Sequence, residues 1–385
     1  MRLSDDSLTS IEICAGAGGQ ALGLHNAGFR HLALLEIDKH ACQTLRDNVA
    51  AHPEWSGCQV VEGDVKDIDP FAHPQLERFG LKPGELDLLA GGVPCPPFSV
   101  AGKQLGEDDE RDLFPTMLQL VRQLRPKAVM IENVRGILDG KFAAYRERIV
   151  SELERYGYEF CGWEVLEARD YGVPQLRPRA ILVVIDKTHM RDVKFEWPAG
   201  GEAVVSVAEA LAETMWERCR PYGAKGQDVF NTWLEKARNR GDEAPTLVGG
   251  SKKHGGADLG PSRAKKAWAA LGVDAMGVAN DLEKSVPERE LFRANGPMLT
   301  VEQAAIIQGF PRGWKFSGGK TARYRQVGNA FPPPVAEAVG RSIAAVLRPG
   351  SEQEPGPTPT RTVIPPRPIV RQSQLGFDEL ESASA

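Results

Sequence analysis

The sequence predicts a doubly wound, mostly parallel α/β sheet that carries a smaller inserted domain. Three observations predict it. Through the first half of the chain, short apolar runs alternate with amphipathic stretches, the rhythm of successive β–α–β units. The first apolar run opens directly into a glycine-rich turn. After about residue 190 the rhythm stops, and clear helical patterns return only near residue 300.

Residues 11–14, 32–35, 60–61, 86–90 and 128–131 are short apolar runs and read as buried strands. Between them, residues 20–27, 39–49 and 113–124 have helical periodicity, and 143–156 reads as a crossover helix ahead of one more strand at 181–185. From Phe195 to Asn295 glycines are frequent and tryptophans are scattered (Trp197, Trp216, Trp233, Trp268), with no strand–helix alternation. Residues 193–290 are therefore expected as the inserted domain, with 1–192 and 291–348 forming the larger one. Helices are expected again at 301–308 and 335–347. Beyond Pro349 the chain is rich in proline (Pro355, Pro357, Pro359, Pro365, Pro366, Pro368), and 349–385 reads as a disordered tail.

Composition narrows the functional classes. The chain is 42% hydrophobic and 26% charged with mean hydropathy −0.31, values of an ordinary globular protein. No run of roughly 20 uncharged apolar residues exists to span a membrane. Asp5 and Asp6 near the start, with no long apolar stretch behind them, do not fit a secretory signal, so the expected setting is the cytoplasm. Six cysteines without a Cys-x-x-Cys pair exclude a disulfide scaffold and a zinc ribbon, and no metal is expected. A net charge of −5 argues against coating nucleic acid by charge alone. Basic stretches at Arg312, Lys315, Lys320, Arg323 and Arg325, and at Lys252, Lys253, Arg263, Lys265 and Lys266, read either as local phosphate contacts or as solvated loops. Glu107, Asp108, Asp109, Glu110 and Asp112 form an acidic cluster elsewhere.

Four segments carry chemistry. Residues 15–21, Ala-Gly-Ala-Gly-Gly-Gln-Ala, fit G-x-G-x-x-[GA] between a strand and a helix. Glu36 ends the second apolar run about 20 residues on, where a carboxylate can accept ribose hydroxyls, and Asp64 follows the third. A nucleoside cofactor is expected, and nicotinamide and S-adenosylmethionine both fit this much. The fourth strand leads into Pro94-Cys95-Pro96-Pro97-Phe98-Ser99, so Cys95 stands beyond a strand's carboxyl end, in a rigid loop rather than a packed strand. Pro96-Pro97-Phe98 resembles the core of amino-group methyltransferases, but those place Asp, Asn or Ser before it; cysteine points to a nucleophile. The fifth strand ends in Glu132-Asn133-Val134, where desolvation raises a carboxyl's pKa and suits it to hold a proton, a helix-capping or salt-bridged acid being the other reading. Arg177 and Arg179 alternate before the 181–185 strand and face one way if extended, unless they are plain surface charge.

In this order the segments resemble the C5-cytosine DNA methyltransferase family. The resemblance rests on the glycine loop, Glu36, Asp64, Pro94-Cys95, Glu132-Asn133-Val134, Gln175-x-Arg177-x-Arg179, Gln308-Gly309-Phe310-Pro311 and Arg325-Gln326-Val327-Gly328-Asn329-Ala330, and spans about residues 10–345. One departure is Cys14, where the family usually has Phe, which loosens the expected stacking on adenine.

The resemblance implies a Rossmann-like fold, S-adenosylmethionine as methyl donor and 5-methylcytosine in duplex DNA as product. It implies Cys14, Ala15, Gly16, Gly18 and Gly19, with Glu36, Ile37, Asp64, Val65, Pro94 and Asn329, as the cofactor's surroundings. Cys95 would be the thiolate that adds to cytosine C6. Glu132 would steady the charge developing at N3, and Arg179 would hold O2, with Arg177 assigned to the same set as a phosphate contact or a structural residue. Residues 99–106 would close over a flipped nucleotide, with Ser99, Lys103 and Gln104 contacting DNA. Lys252, Lys253, Arg263 and Lys265 would contact DNA from the inserted, target-recognising domain. A cognate restriction endonuclease would be the genetic partner if the enzyme belongs to such a pair, and Gln374-Leu375-Gly376-Phe377 is similar to short sliding-clamp-binding peptides. A tRNA cytosine methyltransferase, a non-catalytic DNA-binding relative and a nicotinamide oxidoreductase stand as alternatives.

Overall fold

The computed structural model describes residues 7–94, 112–190, 193–201, 204–239, 243–249 and 257–350. Cys95, Ser99, Lys103, Gln104, Lys252, Lys253 and the 374–377 peptide lie outside the described residues, as does all but the start of the expected tail.

In chain order the elements are β1 (Leu8–Ile13), α1 (Gly19–Asn26), β2 (Phe29–Glu36), α2 (Lys39–Ala51), β3 (Gln59–Glu62), a single-turn α3 (Pro74–Glu77), β4 (Leu88–Gly92), α4 (Phe114–Leu124), β5 (Ala128–Val134), α5 (Ala143–Arg155), β6 (Tyr158–Glu167) and β7 (Pro178–Asp186). Then follow α6 (Val207–Cys219), α7 (Gly223–Asn239), α8 (Ser262–Ala270), a single-turn α9 (Pro287–Glu290), α10 (Val301–Ile307), α11 (Lys320–Asn329) and α12 (Pro333–Leu347).

The strands form one seven-stranded sheet in the order β3-β2-β1-β4-β5-β7-β6. All neighbours run parallel except β7, which is antiparallel to both β5 and β6. The expected mostly parallel sheet is thus observed. Strand alternation sends side chains to two cores. Leu89, Val129, Ile131, Leu182 and Val184 meet Phe114, Leu120 and Val121 of α4 with Ile149 and Leu153 of α5. Leu88, Ala90, Met130, Ile181 and Val183 meet Leu24 of α1 with Val335, Val339 and Ile343 of α12.

Strand β6 is absent from the sequence reading, for a physical reason. It is an edge strand whose residues are mostly part-exposed, so Tyr-Glu-Phe-Cys-Gly-Trp-Glu shows neither a buried run nor clean alternation. The stretch after residue 190 also differs from expectation: among the described residues it is built from helices. Helix α6 starts with a reciprocal capping box, Ser206 with Glu209, a signal written in the sequence as Ser-x-x-Glu. Leu211, Met215, Trp233 and Trp268 of this region join one core with Leu45, Phe310 and Trp314, so no break in packing marks residue 193.

Beneath the glycine loop lies an acid with no cationic partner. Glu12 of β1 is fully buried, accepts from Gln20 Nε2 at 3.2 Å, and sits 3.4 Å from His31 Nδ1. His31 donates from Nε2 to the Ala21 carbonyl (2.9 Å), so its Nδ1 accepts from Ser10 Oγ (2.7 Å), and burial pushes its pKa down to about 3. Burial pushes the Glu12 carboxyl up to about 8. The unfolded chain releases that proton near pH 4.5 while the folded protein keeps it, so stability is full below about 4.5, falls as pH rises towards 8, and then levels off. Glu12→Gln is expected to raise the melting temperature by a few degrees at pH 8–9. The gain should vanish near pH 4.5, which thermal denaturation across the range checks.

Candidate active site

Strand order reverses between β1 and β4, the point where open α/β sheets bind ligands beyond their carboxyl ends. From β1 the chain turns sharply: Cys14 (φ 53°), Gly16 (φ 55°) and Gly18 (φ 84°) all take left-handed conformations, which glycine adopts without strain and cysteine does not. Glu36, at the tip of neighbouring β2, fastens this turn. Its Oε2 accepts from Gly16 N (2.8 Å), and its Oε1 accepts from Ile37 N (2.9 Å) and Asp38 N (2.8 Å). Three amides leave the carboxylate about one free lone pair, on Oε2. Asp38 caps α2 through His40 N and Ala41 N.

These segments enclose a cavity of about 220 Å³ lined by Cys14, Ala15, Gly16, Gly19, Glu36 and Asp38 on one side and by Gly92, Glu132, Arg325 and Asn329 on the other. Of the residues expected around a cofactor, Ile37, Asp64, Val65, Pro94 and Gly18 do not line it. Ile37 is 66% exposed beyond Glu36, and Asp64 accepts from Lys66 N. Gly18 faces inward, where a Cβ would crowd Leu45 and Trp314. Cys14 is no rival nucleophile, because burial, with the Glu36 and Asp64 charges, pushes its thiol up to about 12.

Antiparallel β7 brings its first residues to the carboxyl end of β5, and this sets Arg179 against Glu132. Arg179 lies opposite Val134, and its Nε donates to Glu132 Oε1 at 2.8 Å, both side chains being about one-eighth exposed. Burial raises the Glu132 pKa, with Arg179 and Arg177 pulling the other way. Gly92 of β4 pairs with Glu132, and a Cβ on it would stand 3.0 Å from Glu132 Oε2. Cys95 follows three residues later in the chain. Asn133 Nδ2 donates to the Val93 carbonyl (2.9 Å) and Leu113 N to the Pro94 carbonyl (3.5 Å), so the base of the 95–111 segment is tied from both sides.

The chain matches the C-5 cytosine-specific DNA methylase family over residues 8–345. It belongs to that family. The enzyme is a DNA (cytosine-5-)-methyltransferase. It is 49% identical over 343 residues to the type II methyltransferase M.NaeI of Lentzea aerocolonigenes, covering 89% of this chain and 76% of that one. It is 46% identical over 345 residues to M.NgoMIV of Neisseria gonorrhoeae, covering 88% and 98%. Among solved structures, a putative DNA modification methyltransferase encoded within an E. coli prophage shares the fold at TM-score 0.59 with 22% identity, covering 89% of this chain and 99% of its own. A Spodoptera frugiperda DNMT2 variant matches at 0.56 with 14% identity, covering 89% and 100%.

Two readings left open for the methyltransferase are narrowed by the geometry. Arg177 is no phosphate contact: it is fully buried, with Nη1 donating to the Leu247 carbonyl (2.7 Å) and Nη2 to those of Gly328 and Ala330 (2.8 Å each). The basic stretch 312–325 is no continuous phosphate-binding patch either. Arg312 pairs with Glu213, Glu217 and Glu302, Arg323 with Asp281, and Arg325 reaches Asp38 at 3.6 Å. In the other basic stretch Lys265 pairs with Asp258 (2.9 Å), while Arg263 on α8 is exposed. Among the described residues no group of three or more metal-ligating side chains occurs, and no helix is long and apolar enough to cross a membrane. Asp38, Gln20 and Arg325 line the cavity and were not singled out as ligands; Gln20 and Arg325 stand inside quoted motifs and Asp38 two residues after Glu36, which is the signal that finds them.

Proposed function

We propose that the cavity holds S-adenosylmethionine and that the methyltransferase uses Cys95, Glu132 and Arg179 on a cytosine everted from duplex DNA. The observation that carries this is Glu132, which lines the cavity beside Gly92, three residues before Cys95, and is held by Arg179. The donor set suits a nucleoside cofactor. Glu36 keeps one lone pair for a ribose hydroxyl, and the carboxylates of Glu36 and Asp38 favour a cationic ligand in a lining whose one cationic side chain among the described residues is Arg325.

Bound there, S-adenosylmethionine supplies an electrophilic methyl group for cytosine C5. Everting the base costs a few kcal/mol of stacking and pairing. Cys95 as thiolate adds to C6, forming a C–S bond and breaking the ring's conjugation, so that C5 becomes nucleophilic. Electron density then collects at N3. Glu132, its proton affinity raised by burial, shares its proton there, and Arg179 holds both Glu132 and the cytosine O2. After transfer a base removes the C5 proton, the electrons return to the ring and the Cys95 sulfur leaves.

Residues 193–290 serve in this reading as the target recognition domain, with exposed Arg263 toward DNA. The relatives are named type II methyltransferases, which supports a cognate restriction endonuclease as genetic partner and a cytoplasmic, nucleoid-associated enzyme. Calorimetric titration with S-adenosylhomocysteine tests the cofactor assignment. Glu36→Ala removes the clamp on Gly16 together with the ribose acceptor, and is expected to weaken binding about tenfold to a hundredfold. Equal affinity for wild type and variant counts against the assignment.

A further inference from the structure

Asn329, the last residue of α11, reaches the cavity where that helix turns toward α12, and a residue that lines none of the cavity fixes that turn. Residues 243–249, which follow α7 of the inserted region, run alongside residues 174–177. Leu176 N donates to the Ala244 carbonyl (2.8 Å), Ala244 N to the Pro174 carbonyl (2.9 Å), and Leu247 N to Gln175 Oε1 (2.9 Å). The segment ends against the turn itself. A Cβ on Gly249 would stand 2.1 Å from Asn329 Oδ1, and one on Gly328 would stand 2.5 Å from Gly249 N, so the backbones touch with no room for a side chain.

The Arg177 guanidinium joins the three pieces. Nη1 holds the Leu247 carbonyl, while Nη2 bridges the carbonyls of Gly328 and Ala330, the residues on either side of Asn329. No carboxylate among the described residues lies within 4 Å of it. Burial works against the charge on this guanidinium and the Glu132 carboxyl works in its favour, while its three short hydrogen bonds all go to backbone carbonyls. A planar fork can span acceptors on two sides, which the single nitrogen of lysine cannot.

We propose that Arg177 is a positioning residue for Asn329: it locks the α11–α12 turn to segment 243–249 and makes one wall of the cofactor cavity depend on the docking of the inserted region. This rests on the reading of the cavity as the cofactor site. Arg177 touches no reacting atom, and its action runs through the two carbonyls that flank Asn329.

Titration of the full-length protein with S-adenosylhomocysteine tests it. Arg177→Met and Gly249→Ala are each expected to raise Kd about tenfold, whereas Thr246→Val, which removes only the bond to the Leu176 carbonyl, stays within about twofold. Added to Asn329→Ala, Arg177→Met should weaken binding less than about twofold further, because a residue acting through another is not additive with it. In steady-state methylation of unmethylated genomic DNA, KM for S-adenosylmethionine should rise in both variants while kcat per folded molecule stays within about threefold. Loss of folded protein alone would lower the rate and leave KM unchanged. If Arg177→Met does not fold, Gly249→Ala carries the comparison. A wild type that does not bind the ligand overturns the cofactor reading. A wild type that binds, with Kd unchanged in the folded variants, overturns the positioning role of Arg177.

Discussion

Replacing Cys95 with serine is expected to lower methyl transfer by at least a hundredfold while specific DNA binding stays largely intact. A free thiol titrates near 8.5, within reach of a site that withdraws its proton, whereas a serine hydroxyl holds its proton far more tightly and adds poorly to an aromatic ring. The cysteines among the described residues nearest the sheet's glycine loop do not take over. Cys14, nearest the cavity, has its thiol pushed up to about 12, and Cys42 and Cys58 are buried with thiols raised to about 12 as well. Single-turnover assays with labelled cofactor, beside gel-shift binding, give both halves of the prediction. A variant keeping more than about a hundredth of the wild-type rate contradicts nucleophilic catalysis by Cys95.

Glu132→Gln is expected to cost about a hundredfold to ten-thousandfold in kcat, with little change in cofactor binding. The amide preserves shape and fits beside Gly92, and it can still accept from Arg179 Nε, but it has no proton to share with N3. The pH profile separates this from a packing defect. Burial raises the Glu132 pKa, so the wild-type rate should fall on the alkaline side as that proton is lost, and the variant's residual rate should lack that limb. A variant with near wild-type kcat, or with the alkaline limb intact, removes Glu132 from the chemistry.

What could be read in the sequence was local. The glycine turn, Glu36 at a strand tip, and Glu132 and Arg179 at paired strand ends each sit in a contiguous motif whose residue types state its chemistry. The sheet was legible because four of its strands are apolar runs buried on both faces. Edge strand β6 was not, being partly exposed on both faces. The choice between the two readings of Arg177 was not legible, because its acceptors lie 70, 151 and 153 residues away, and a motif shared with Arg179 gives no hint that one arginine meets Glu132 and the other the backbone. The ion pairing of the basic stretch at 312–325 was hidden for the same reason. Glu213, Glu217, Glu302 and Asp281, which compensate it, are remote in sequence or sit one helix away. Helix α6 was legible in principle, through Ser206 and Glu209, but glycines and tryptophans around it obscured the period.

Transient bonding of sulfur to the pyrimidine is tested most directly by blocking its last step. Bisulfite sequencing of DNA from cells expressing the enzyme locates the methylated cytosine, and a duplex carrying 5-fluorocytosine at that position cannot surrender a proton from C5. Incubated with enzyme and S-adenosylmethionine, it should accumulate a covalent protein–DNA adduct, and peptide mass spectrometry should find the nucleotide on Cys95. Turnover on the unsubstituted duplex with no adduct on the fluorinated one, or an adduct on any other residue, would contradict the account.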